Sequence, residues 1–374
     1  MSEELKHLNV KIANMISHEQ RMKCHKMKKF CDQSGSKNMT EMWNLKKRLW
    51  PKKSMSLPAA KINHQGKLIS KPQDIKNTLR KEYSERLRKR PKHPQINKFF
   101  KTETLEYKLS AAKENISPEF TLKELENVLK KTKNGKARDP DGLVREIFKT
   151  DVIGEDLKVS LLTMLNQIKK DGIFPDFMKK ANISTIPKKN KSRLILKNER
   201  GIFIVNTARG ILMRILCNRK SQMLDSNMSY SNIGGRKDKS CINHIWVVNG
   251  IIHEQLSSIN NPPIVIQQYD YSQMFDGMEL KESLSDLYNS GVQDDTLHLI
   301  YEANKNVAVR VKTSYGLTEE VHLEEVVLQG EVWWPRWTPS GRRCSMRTTR
   351  YRYRYKGFVP VPVMGQIDDV IGVT

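Results

Sequence analysis

Apolar residues recur every fourth position at Ile75, Leu79, Tyr83 and Leu87 among Lys, Arg and Glu. That spacing predicts one amphipathic helix between Pro72 and Pro91, its polar face left to solvent or to phosphates. A second helix starts at Thr121, where Glu124 completes a capping box; Leu122, Leu125 and Leu129 form its stripe, with Gly135 as the expected stop. Leu157, Leu161, Met164, Leu165 and Ile168 make a third helical stripe that ends at Gly172. The pattern then shortens, and Ala181 to Ile186, before Pro187, and Ile202 to Val205 read as short strands. Helical spacing returns at Ile211, Leu212 and Ile215, and Ile242 to Ile252 is a further apolar helix. Ile264 to Asp270 favours a strand with a carboxylate at its C-terminal end, and Val361 to Val373 reads as a β-hairpin with Asp368 and Asp369 at its bend. The fold class is therefore mixed α/β (α+β), with no internal repeat.

Composition adds a partner class. Lys and Arg number 66 against 41 Asp and Glu, a formal net charge of +25. An excess of that size concentrates polyanions and supplies the salt-dependent, sequence-independent part of nucleic-acid affinity. From Lys6 to Lys53 basic residues are spread among isolated apolar ones, with Trp43 and Trp50 flanking Lys46-Lys47-Arg48, which reads as an extended or partly helical basic arm. No run approaches the roughly 18 consecutive apolar residues of a spanning helix, and Met1 to Lys6 lacks the plan of a secretory signal, so a soluble protein with no membrane partner is expected. The length of 374 residues suits about two to three domains. Cys24, Cys31, Cys217, Cys241 and Cys344 are too irregular for a disulfide framework, which suits a reducing compartment. Cys24 and Cys31, with His18 and His25 nearby, fit none of the usual zinc-ligand spacings.

Two acidic segments stand out. If the strand end at Asp270 met the bend at Asp368 and Asp369, three carboxylates would share one small volume, where repulsion is costly unless a cation neutralises them. Mg²⁺ suits that donor set, and two such ions about 3.5–4 Å apart can clamp an in-line phosphoryl displacement. Taken alone, an Asp-Asp pair is better explained by a surface turn. Asp294-Asp295, ahead of Thr296-Leu297-His298-Leu299-Ile300, looks like a capped helix start and is assigned no chemistry. Asn134 to Gly142, dense in turn residues and carrying Lys136 and Arg138, is either an ordinary surface turn or a loop near phosphates.

In this order the two acidic segments resemble motifs A and C of the polymerase palm, and the chain from about Thr121 onward resembles the reverse transcriptases of non-LTR retrotransposons. Asn134 to Gly142, continuing through Leu143-Val144-Arg145-Glu146, is similar to the first fingers motif. Asn182 to Pro187 with Asn198-Glu199-Arg200-Gly201-Ile202 is similar to the second, and Ser231 to Lys237 to the third. The resemblance implies an RNA-directed DNA polymerase, a nucleotidyltransferase with fingers and an antiparallel palm sheet. It implies Asp270, Asp368 and Asp369 as catalytic, metal-binding residues for Mg²⁺ or Mn²⁺, and Arg200, with Lys188, as the cations that meet the incoming triphosphate. Phe275 matches the bulky side chain under the nucleotide sugar, although alone it reads as a core aromatic, and Gln329-Gly330 resembles the start of motif B. An RNA template, a DNA primer and dNTPs are the implied partners, and nuclear residence the implied location. The implied organisation is a basic, partly disordered arm over 1–56, a helical linker over 57–120, fingers over 121–255 and a partial palm over 256–374.

The likeness breaks between Trp334 and Tyr353, where motif B should continue into an apolar helix. Pro335, Pro339, Gly341 and the run Arg347-Thr348-Thr349-Arg350-Tyr351-Arg352 allow no amphipathic helix. The pattern resumes near Tyr355-Lys356-Gly357, as a compensating pair of frameshifts would produce, and sequencing the coding DNA tests this. Thr374 follows the hairpin directly, so an incomplete palm, an absent thumb and impaired activity are expected. The alternative reading is a non-catalytic basic RNA-binding remnant in which the carboxylates have no role.

Overall fold

The computed structural model describes residues 18, 21–22, 25, 57–62, 66–88, 102–150, 154–227, 233, 236, 238–257, 264–270, 278–328 and 332–333, with strand backbone at 354–355, 359–360, 364–366 and 369–373. For residues 102–104, 267 and 269–270, as for those strands, the backbone alone is described. The chain divides into two compact units, Met1–Leu57 and Pro58–Thr374. In the first, His18, Arg21, Met22 and His25 are helical and exposed, and the remainder of the basic arm lies outside the described residues.

The second unit is mixed α/β. After a short antiparallel pair, β1 (Lys61–Ile62) and β2 (Leu68–Ile69), comes helix α1 (Pro72–Leu87). All four residues of the predicted stripe, Ile75, Leu79, Tyr83 and Leu87, are buried. They pack on a five-stranded mixed sheet ordered β4 (Glu199–Val205), β3 (Lys180–Pro187), β6 (Lys305–Thr313), β7 (Gly316–Leu317), with β8 (Val321–Glu325) also paired to β6. Alternate residues of three strands point at that helix: Ala181 and Ile183, then Val307, Val309 and Val311, then Val321 and Leu323. β3 runs antiparallel to β4 and parallel to β6, so the connection from β4 to β6 makes a long crossover. Gly201 on β4 permits the close approach of α1, because a Cβ there would stand 2.8 Å from Tyr83 Cε1.

The second core is helical. It gathers α2 (Thr102–Glu114), α3 (Leu122–Lys131), α4 (Gly154–Asp171), α5 (Thr207–Asn227), α7 (Leu280–Asn289) and α8 (Asp295–Asn304). α5 is its axis: Ile211, Leu212, Met213, Ile215, Leu216 and Cys217 are all buried, the signature of a helix enclosed on several sides. Arg209 on the same helix is fully buried because its guanidinium donates to Ala303 O and to Asn304 Oδ1 at 3.0 Å. The capping box at Thr121 forms as expected, with Leu125, Val128 and Leu129 buried behind it. Gly135 is not the stop of that helix. α3 ends at Lys131, where the backbone of buried Thr132 becomes extended, its N–H donating to Leu129 O and its hydroxyl to Val128 O. Gly135 instead takes a positive φ of 70° in the following loop. Gly172 does end α4, at φ 65°.

The apolar run from Ile242 forms helix α6 (Cys241–Leu256). Its Ile242, Ile245 and Trp246 nevertheless remain 60, 54 and 74% exposed, since no described element covers that face. β5 (Ile266–Asp270), β11 (Met364–Gln366) and β12 (Asp369–Val373) make a three-stranded antiparallel sheet ordered β11-β12-β5, and β9 (Arg354–Tyr355) pairs with β10 (Val359–Pro360). No helix among the described residues is long and apolar enough to cross a membrane.

Candidate active site

The strand ending in Asp270 and the late hairpin come together. β12 runs antiparallel to β5 in a register that sets Asp369 opposite Asp270, Val370 opposite Tyr269 and Ile371 opposite Gln268. β11 pairs with β12 so that Gln366 opposes Asp369, leaving positions 367 and 368 between the two strands. Asp270 therefore closes β5 at the same end of the sheet where Asp369 opens β12. Directly opposed residues of an antiparallel ladder lie about 4.5–5.5 Å apart at Cα, and like charges in such a pair destabilise each other. Asp368 precedes Asp369 in sequence and lies outside the described residues, as do Phe275, Gln329 and Gly330. Among the described residues no group of three His, Cys, Asp or Glu side chains converges on a metal position, and the side chains of Asp270, Asp368 and Asp369 are not among those described.

The two predicted cations share the β3–β4 hairpin. Arg200 opposes Ile186 in the ladder, and the pairing continues through Pro187 and Glu199. The backbone N–H of Lys188 then donates to Asn198 O at 2.8 Å, so Lys188 sits two positions beyond the residue opposite Arg200. Both are exposed, and neither side chain makes a hydrogen bond or ion pair among the described residues. Their neighbour Glu199 faces the other way. It is buried, paired with Lys61 and, at 2.9 Å, with Arg193 Nε, which fastens the base of the hairpin. Desolvation lowers the proton affinity of Lys61, and the hydrogen bond to Glu199 opposes that shift.

The loop that follows α3 is pinned from inside. Asp139 is 6% exposed, and its carboxylate accepts the N–H groups of Asp141 at 3.0 Å, Leu143 at 2.8 Å and Thr207 at 2.9 Å. The last of these bonds ties the loop to the first turn of α5, and Asn206 Nδ2 donates to Asp141 Oδ2 at 2.6 Å beside it. Glu146 accepts the N–H of Gly135, which is the main reason its carboxyl is held below the usual range. Lys136 and Arg138 are thus exposed on a held loop. Sequence reading does not find the anchoring role of Asp139, although the Asp-Pro-Asp-Gly run carries the signal, because Asp side chains readily fold back on the backbone N–H two residues on. Arg236, in the segment Ser231 to Lys237, donates to Asp225 O at 3.3 Å and so reaches back to the end of α5.

Asp294 and Asp295 form no site. Asp294 caps α8 by accepting from Thr296 N–H and pairs with Lys220. Asp295 pairs with Lys169 and accepts the N–H of Ser117 at 3.2 Å.

No protein-family model matches the chain.

Proposed function

We propose that the chain carries the fingers and part of the palm of an RNA-directed DNA polymerase of the non-LTR retrotransposon kind, with Asp270, Asp368 and Asp369 as its metal-binding carboxylates. One observation carries the reading: antiparallel pairing sets Asp270 against Asp369, although the two are far apart in sequence. Opposed carboxylates are poor neighbours without a cation, and an all-oxygen acidic donor set suits Mg²⁺ or Mn²⁺. Those residues would hold the ion, which when bound supplies charge neutralisation for phosphoryl transfer.

The remaining residues orient and neutralise. Arg200 and Lys188 are free to take the oxygens of a dNTP triphosphate, Arg200 in a bidentate manner that Lys cannot reproduce. Phe275 would bound the sugar side of the nucleotide pocket, and Gln329 with Gly330 the side facing the template pair. Exposed basic residues of the loop after α3 and of α1 would hold the RNA template and DNA primer backbones.

A primer-extension assay on the full chain with an RNA template, dNTPs and Mg²⁺ tests the reading. Extension by the natural chain that disappears in Asp270→Asn and Asp369→Asn supports it, and extension that survives both removes the catalytic assignment. The basic surface supports a second reading, a non-catalytic RNA-binding protein. Tight RNA binding without extension, indifferent to both substitutions, is its signature.

A further inference from the structure

A second cationic feature lies away from the hairpin. Gly210 sits in the first turn of α5, and a Cβ placed on it would stand 2.5 Å from Arg145 Nη2. The Arg145 guanidinium therefore rests against bare helix backbone. Arg214 follows Gly210 by one helical turn, so the two positions share a face of α5. Both arginines are half-buried, and Nε of Arg214 is sealed from solvent without a hydrogen-bond partner among the described residues. No nitrogen of either guanidinium makes a hydrogen bond or ion pair among the described residues.

The nearby carboxylates Asp139 and Glu146 act on Arg145 through their charge alone, for their hydrogen bonds among the described residues are with backbone N–H groups. Asp139 spends its oxygens on the N–H groups of Asp141, Leu143 and Thr207, and Glu146 takes the N–H of Gly135. Burial first, and the charge of Arg214 second, lower the proton affinity of Arg145, with Asp139 and Glu146 opposing. Two partly desolvated like charges side by side are unfavourable until an anion lies between them. An arginine stem packed on a helix for its hydrocarbon alone would leave its head in water. The sealed Nε of Arg214 does not fit that description.

We propose that Arg145 and Arg214 bind a phosphate group in the angle between the segment Arg145–Lys149 and the first two turns of α5. Its planar guanidinium donors, the bare glycine beneath them and the nearby positive end of the helix suit a tetrahedral oxyanion. The loop carrying exposed Lys136 and Arg138 leads into this angle, so a polynucleotide strand could run along it. The inference does not rest on the carboxylates and stands whether or not the chain polymerises.

The test measures two ligands on the full chain: a labelled single-stranded RNA oligonucleotide by anisotropy across a salt series, and dATP by equilibrium dialysis. Arg145→Gln and Arg214→Gln are each expected to weaken the phosphate ligand about tenfold. If that ligand is RNA, each lowers the slope of log affinity against log salt by about 0.7. Gly210→Ala is the decisive variant. It favours the helix but pushes the Arg145 guanidinium off its seat, so it should weaken binding without lowering the melting temperature. A loss confined to RNA identifies a strand phosphate, and a loss confined to dATP identifies a free nucleotide; either supports the site. Unchanged binding of both ligands by Gly210→Ala and Arg214→Gln overturns it, whatever Arg145→Gln does to folding.

Discussion

Two pairs of aspartates, Asp294 with Asp295 and Asp270 with Asp369, come from regions that are built differently. At the start of α8, Asp294 and Asp295 are 8 and 6% exposed, and each has a lysine and a backbone N–H of its own. At the end of the three-stranded sheet, ladder register sets Asp270 opposite Asp369. The first pair is complete as protein and explains why two helical segments stay docked. In the second, backbone pairing sets two acidic residues opposite each other, the arrangement on which the proposed metal site rests. One Asp-Asp dipeptide, Asp294-Asp295, is taken up by the fold, while Asp369 of the other stands opposite Asp270 in the proposed metal site.

The sharpest separation of the two is catalytic. Asp270→Asn or Asp369→Asn should lower primer extension by about a thousandfold, several kcal/mol of lost transition-state stabilisation. Asp294→Asn, which keeps an oxygen for the helix cap, should leave the rate per folded molecule unchanged. Stability should show the reverse order. Lys169→Met strands a buried carboxylate at Asp295 and should cost about 3–5 kcal/mol in urea unfolding, whereas Asp369→Asn should be neutral or stabilising because it removes a repulsion. Mg²⁺ at a hundredfold excess over its Kd should stabilise the natural chain by about 2.7 kcal/mol. That gain should vanish in Asp270→Asn and persist in Asp294→Asn; a gain that ignores Asp270 would break the comparison.

A middle case gives the smallest effect. Glu124 is held below the usual carboxylate range chiefly by its hydrogen bond to Arg219, with Thr121 assisting, and it is partly open to solvent. A lowered folded value means that its contribution is full above the unfolded value of about 4.3 and fades as pH falls through the folded one. Arg219→Gln should therefore destabilise the chain at pH 7, and the deficit should shrink in acid.

Much of the helical framework is legible in the sequence because burial follows local period: Ile75, Leu79, Tyr83 and Leu87 are spaced for one face, and that face is the one covered. Thr121 with Glu124 announces α3 for an equally local reason. The end of that helix is less legible, since Gly135 looks like the stop but the side chain and backbone of Thr132 do the work earlier. The five-stranded sheet is harder. Val307, Val309 and Val311 alternate plainly along β6, yet nothing local tells that β6 lies parallel to β3, because that pairing joins distant segments. α6 shows the limit from the other side, since its apolar residues predict a helix correctly but not a covered one. In the site, the apolar flanks of Asp270 and Asp369 mark strands, while the register that opposes them follows from the paired ladder alone. Asp139 and the seat of Arg145 on Gly210 escape sequence reading because each depends on a contact with α5.

The placement of β6 also has a cost in time. The β3–β4 ladder leaves the ribosome long before its parallel neighbour, and at about 5–20 residues per second the roughly hundred residues in between take on the order of ten seconds to make. Throughout that interval one side of β3 is an open strand edge, the kind of surface on which nascent chains stick to one another. Yield in a cell should therefore respond more to chaperone supply than to the strength of any contact in the finished molecule.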